Sequence, residues 1–293
     1  MRRRVRALWG AILLTAGLLA GAPLAAAEPP VWVVKSHRAQ VVLFGSVHVL
    51  PPGLIWEPPA LKRAIARADE IWFELPVDAA TQARTAELAT HLGVLAPDQS
   101  LFRLVGPADA TRMSRVADAY GVSTMLLDRL QPWLAEIALA GATYRKAGAD
   151  TSSGVEQAIE AEAPRAARRF AFETPEQQLK IFAETPLPEQ VASLDETVKE
   201  MESDPDEFAS LLRAWMAGDV AALDREALRP LRQASPDLFR RIVVERNERW
   251  LKVIRGRLKG HGRTVIVVGV GHLIGPEGLP ARLRSLGYSV EGP

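Results

Sequence analysis

The chain has 293 residues, with 36 Lys and Arg against 35 Asp and Glu, and no cysteine. Without cysteine there is no disulfide framework, no thiolate metal ligand, no cysteine nucleophile and no acylated lipoprotein cysteine. A formal charge of +1 lacks the strong basic excess of a nucleic-acid-binding protein, so no nucleic-acid partner is expected.

Residues 1–27 read as a secretory signal peptide. A basic start, "MRRRVRA", leads into the uncharged apolar run "LWGAILLTAGLLAG", and "APLAAA" ends in an A-x-A-like cleavage site before Glu28. The expected location is across the inner membrane, in the periplasm. The alternative is an uncleaved N-terminal anchor, in which case the leader is the chain's contact with a membrane. The leader carries Arg2, Arg3, Arg4 and Arg6 and no acid. Removing those four leaves 32 basic residues against 35 acidic, a net of −3.

Residues 28–293 follow as one α/β domain. "VWVVKSHRAQVVLFG" predicts a β-hairpin over residues 31–44, two apolar runs around a polar turn. "PPALKRAIARAD" (58–69) has Leu61, Ile65 and Ala68 at helical spacing, with prolines where a helix start tolerates them. "EIWFELP" predicts a buried strand ending at Glu74. From 78 to about 165 the text is helical and alanine-rich, with glycines as helix stops. "ARRFAFETP" (167–175) is strand-like again and reaches a second carboxylate, Glu173. Residues 174–260 return to helix and close with the long amphipathic "PDLFRRIVVERNERWLKVIRGRLKG" (236–260). The strand "TVIVVG" (264–269), a short helix in "GPEGLPARLRSLG" and a short strand in "YSVEG" complete the chain. Strands alternating with helices predict an α/β fold: a mostly parallel central sheet with helices on both faces, an N-terminal β-hairpin and a large helical insertion. The insertion is expected to form a lid or subdomain.

Four polar residues stand where four apolar runs stop: His48, Glu74, Glu173 and His272. In an open parallel sheet the carboxyl ends of the strands form the ligand crevice. His48 and His272 both close a Gly-x-x-His element after a Val/Ile-rich run, 224 residues apart. Two imidazoles and a carboxylate suit Zn²⁺, Mn²⁺ or Co²⁺, with a bound water as the reactive group. Gly45 and Gly269 are expected to turn the chain off its strands through backbone angles other residues avoid. Gly271 and Gly275 would let backbone approach a ligand, and the helix start after Gly275 could hold an anion. Ser46 has no G-x-S-x-G context, which argues against a serine nucleophile. His37, His91 and His261 read as surface. Glu74, on so apolar a run, must reach solvent or meet a positive charge.

The stretches "LFGSVHVLP", "ADEIWFELP", "PWLAEIAL", "FETPEQQLKIF", "AWMAGD", "ERNERWLKVI" and "VVGVGHLIGPEGLPARLRSLGYSV" resemble the TraB/GumN family, which includes the Tiki-type metalloproteases. Its wider superfamily contains erythromycin esterases and the ChaN haem-binding lipoproteins. The resemblance implies a catalytic or metal site made of His48, Glu74 and His272. It matches Arg246 and Asn247 to the family's Arg-Asn pair and Glu173 to a glutamate of that site. Arg246 would then pair with Glu74 or Glu173, or grip a substrate carboxylate or phosphate. Glu173, Asn247, Gly45, Ser46, Gly269 and Gly271 would line the substrate or support the first group. The implied function is an exported metal-dependent hydrolase of peptide or amide bonds, with a Mn, Co or Zn ion and a peptide or small-molecule substrate. Two alternatives stay open. One is a periplasmic haem- or metal-binding protein without turnover. The other is a metal-free esterase, with His48 as general base and Glu74 fixing its tautomer.

Overall fold

The computed structural model describes residues 28–293, so the expected leader lies outside the described residues. Six strands form one sheet: β1 (Val31–Lys35), β2 (Ala39–Ser46), β3 (Glu70–Phe73), β4 (Arg168–Ala171), β5 (Gly262–Gly269) and β6 (Val290–Glu291). Their order is β4-β3-β5-β2-β1-β6. The pairs β4–β3, β3–β5 and β5–β2 are parallel. β1 folds back antiparallel on β2 as the expected hairpin, and β6 adds antiparallel to β1.

The central strands are the Val/Ile-rich ones because they are covered on both faces. Every residue of β2 from Val41 to Ser46 is buried, as are Thr264 to Val268 of β5. Helices Pro59–Ile65 and Glu245–Lys259 pack on β2, and Trp215 donates its indole N–H to the Gly45 carbonyl at 2.8 Å. The register sets Ser46 beside Gly269, and Phe73 beside Val267 and Ala171. β2 and β5 therefore stop together and β3 and β4 two residues short of them, and the residues that follow all four share a rim.

The helical insertion has a core of its own, in which Leu101, Met113, Leu127, Leu139, Leu194 and Val198 meet away from the sheet. No helix among the described residues is long and apolar enough to cross a membrane.

The long helix expected over 236–260 runs from Pro236 to Lys259 but contains a π-helical turn at Arg240–Val244. One extra residue per turn at this point re-aims the helix face that follows. That face buries Arg246, Asn247, Trp250, Leu251, Ile254 and Leu258, a stripe at helical spacing. Two polar residues, Arg246 and Asn247, lead an otherwise apolar stripe.

Candidate functional site

Glu74 is the first residue past β3, and Glu173 lies two residues past β4. Backbone pairing continues beyond the strands: the Glu173 N–H donates to the Glu74 carbonyl at 2.9 Å. Two carboxylates are thereby held side by side, 8% and 6% exposed. Arg246 joins them from the long helix. Its Nη2 donates to Glu74 Oε2 at 2.5 Å and to Glu173 Oε2 at 2.8 Å, and its Nε donates to Glu173 Oε1 at 2.9 Å. Its Nη1 donates to the Ile242 carbonyl at 3.4 Å and to His272 Nε2 at 3.0 Å. A guanidinium has five N–H donors, and all five are engaged. The guanidinium also lies over Trp250, 4.6 Å from the ring centre. Burial pushes the Glu74 carboxyl up, but Arg246, the two histidines and the Gly269 N–H outweigh it and hold it down at about 2. Glu74 is a fixed anion.

His272 sits in a 3-10 turn, Val270–His272, directly after β5. Asn247 donates its amide to the His272 carbonyl at 3.2 Å and the Glu277 carbonyl at 2.9 Å. Its Oδ1 therefore faces His272 Nδ1, 2.7 Å away, and the ring proton belongs on Nδ1. Nε2 accepts from Arg246, which can only donate. Burial, with the positive charge of Arg246, pushes His272 down to about 3. It is neutral, so its 3.9 Å approach to Glu74 is not an ion pair.

His48 is the opposite case. Its side chain is 64% exposed, and Nδ1 lies 2.8 Å from Glu156 Oε1. Glu156 stands in the first turn of helix Val155–Glu162. Its negative charge raises His48 to about 9. Nε2 faces Gly269. A methyl placed on Gly269 would stand 3.3 Å from Glu74 Oε1, 3.7 Å from His48 Nε2 and 3.9 Å from His272 Cδ2. The two imidazoles and the carboxylate thus meet over the one glycine whose missing side chain leaves room there. His48, Glu74, Glu156 and Gln178 open onto a cavity of about 850 Å³, and Gln178 donates to Glu74 Oε2 at 3.1 Å.

A model of the TraB/PrgY/gumN family matches residues 30–292. The chain belongs to the TraB/PrgY/gumN family. No curated protein and no solved structure matches it.

In this TraB/PrgY/gumN protein His48, Glu74, Glu173, Arg246, Asn247 and His272 gather at one rim, and three sequence expectations need correction. Arg246 pairs with both carboxylates at once, so it has no N–H left for a substrate carboxylate or phosphate. Glu74 does not fix the His48 tautomer; Glu156 does. Gly45 and Gly269 lack the left-handed backbone angles expected of a sharp turn. Gly45 and Gly269 are needed for close approach: a methyl on Gly45 would fall 2.8 Å from Val270 Cγ2. Gly275 does have a positive φ of 71°. Ser46 is buried at the end of β2, and His37, His91 and His261 are exposed. Glu156 and Gln178 were missed. Glu156 is one of several glutamates in "VEQAIEAEAP", and an acid in a first helical turn is explained by the helix dipole alone.

A resident divalent ion needs several donors with free lone pairs aimed at one point. Among the described residues no group of three or more His, Asp or Glu is so arranged. The single lone pair of His272 Nε2 accepts from Arg246. As placed, this donor set does not fit a metal: Arg246 would first have to leave Nε2.

Proposed function

We propose that this TraB/PrgY/gumN protein is an exported hydrolase that adds water to the carbonyl of an amide or ester, with His48 as its general base. The observation that carries the reading is the free Nε2 of His48 beside Glu74, with Nδ1 held by Glu156 at 2.8 Å. A base fixed at one nitrogen by a carboxylate and open at the other can take a proton from water. In the reaction Nε2 removes that proton as the water oxygen bonds to the carbonyl carbon. Glu156 accepts the Nδ1–H and stabilises the imidazolium that forms. The bond to the leaving nitrogen or oxygen then breaks, and the proton passes from Nε2 to that atom. Glu74 stays ionised and orients the water through its second proton. Arg246, Glu173 and His272 act behind Glu74, keeping it charged and in place. The protein's own base is active only when neutral, so turnover should climb as pH rises toward about 9, where His48 loses its proton. Glu156→Gln removes the main cause of that raised value and should move the climb toward the ordinary 6.5. A pH–rate profile on ester and anilide substrates tests this, and a climb unmoved in Glu156→Gln would refute the assignment of the base.

A metal-dependent version is a second reading: both imidazoles and Glu74 meet over Gly269, but an ion there requires Arg246 to give up His272 Nε2. Metal content of the purified protein and survival of turnover in chelator separate the two. Export is supported by the three-part leader pattern. N-terminal sequencing of the protein recovered from the periplasmic fraction tests it: a start at Glu28 is expected.

A further inference from the structure

The cavity of about 850 Å³ beside His48 falls within the range of small-molecule sites, roughly 300–1,000 Å³. It is lined by the end of β3 and the segment that follows, with Phe73, Leu75, Pro76 and Val77. One wall is a stripe of helix Ala79–Gly93, where Thr81, Gln82, Thr85, Ala86 and Ala89 repeat at helical spacing. The residues around the cavity include no lysine or arginine. The ionisable side chains lining it are His48, Glu74 and Glu156. With His48 matched by Glu156, Glu74 leaves the lining net negative. The cations behind it are engaged: Arg246 has no free N–H, and Arg84, on the wall helix, is paired with Glu87 at 3.0 Å and Glu176 at 2.9 Å. A carboxylate entering this space would lose water and meet no lysine or arginine; the one cation facing it, His48, is already matched by Glu156, and the remaining donors are neutral amides and hydroxyls, so desolvation is poorly offset.

The wall is fixed relative to the reacting groups. Asp78 caps its helix, accepting from the Thr81 N–H and the Thr81 hydroxyl, both at 2.8 Å. The Arg84–Glu176 pair ties it to helix Pro175–Ala183, which also carries Gln178, the donor to Glu74. A group lying along Ala86 and Gln82 is therefore held in register with His48.

We infer that this cavity selects an uncharged, apolar acyl group and rejects anionic ones, with Gln82 and Ala86 as the positions that set charge and size. The inference rests on the proposed hydrolase reading and names the substrate class of the same site. The test uses two matched probes, a hexanoyl anilide and an adipoyl anilide that carries a terminal carboxylate. Binding to the intact protein is read by equilibrium dialysis, and turnover is read separately. The hexanoyl probe should bind at least about ten-fold more tightly. Gln82→Lys supplies the missing cation and should narrow that gap at least about five-fold. Ala86→Trp fills the wall and should weaken hexanoyl binding about ten-fold, with the thermal midpoint unchanged. If Ala86→Trp does not fold, Gln82→Lys still decides the matter. Equal binding of the two probes, no binding of the hexanoyl probe, or a gap unmoved by Gln82→Lys overturns the inference. Selective binding without turnover would instead sink the hydrolase reading and leave the pocket's preference standing.

Discussion

The two Gly-x-x-His turns leave adjacent strands at the same level, Ser46 beside Gly269, yet their imidazoles end in opposite states. His48 is open to solvent, faces a carboxylate and is raised to about 9. His272 is buried, faces a guanidinium and an amide, and is lowered to about 3. The motif fixes where each ring stands. The residues packed around it, from distant parts of the chain, fix its charge. Glu156 makes the first ring a base or an acid. Arg246 and Asn247 make the second a neutral structural strut whose lone pair supports the ion cluster behind Glu74.

The largest effect should separate the rings by role. His48→Ala removes the proposed base and should lower turnover by about 10²–10⁴-fold, with little change in thermal midpoint because the ring is exposed. A His48→Ala protein with wild-type turnover would break the comparison outright. Next comes Arg246→Met, which leaves Glu74 buried without its cation and Glu173 with only the exposed Arg249, 3.3 Å away. Losing one partner of a buried ion cluster costs about 3–5 kcal/mol, so the denaturant midpoint should fall sharply. A midpoint near wild type would mean that water already solvates these carboxylates. Asn247→Ala is smaller. It leaves the His272 Nδ1–H and two backbone carbonyls without their partner, a loss of about 1–3 kcal/mol. Nitrogen-15 NMR of the ring should then show the tautomers mixing, and a ring still wholly protonated on Nδ1 would show that Asn247 is not what fixes it.

How much of this was legible in the sequence depends on the range of the interaction. The hairpin, the parallel strands and the polar residue closing each run were readable, because burial on both faces forces an unbroken apolar run that stops where the chain surfaces. The meeting of His48, Glu74, Glu173 and His272 was readable only as a place. Strand order decides whether strand ends adjoin, and β5, late in the chain, inserts between β2 and β3. The roles were less readable. Glu156 lies 108 residues from His48, in helical text that any glutamate suits. The π turn before Arg246 leaves no mark in the hydrophobic pattern. Glycine is equally silent: the same letter serves Gly275 for its positive φ and Gly269 for the room it leaves, and only the packed structure tells them apart.

The last comparison is the pH dependence of stability, whose sign differs between the two turns. Unfolded, His272 takes up a proton as pH falls through its ordinary 6.5; folded, it resists until about 3. Its contribution is therefore complete above 6.5 and lost on acidification toward 3. Glu74 adds to the same limb, complete above 4.5 and lost as pH falls to about 2. His48 works the other way, because the folded protein holds its proton more tightly than the unfolded chain. Its contribution is complete below 6.5 and lost as pH rises through about 9. Stability measured against pH should climb from acid to neutral and then decline gently toward 9. The alkaline limb should be the shallower one, since solvent screens an exposed pair. His272→Gln should flatten the climb between 3 and 6.5 and leave the decline intact. His48→Gln should remove the decline and leave the climb. An alkaline decline that persists in His48→Gln would show that water around the exposed ring already cancels the pull of Glu156. The pH–rate climb expected from His48 would then centre near 6.5 even in the wild-type protein.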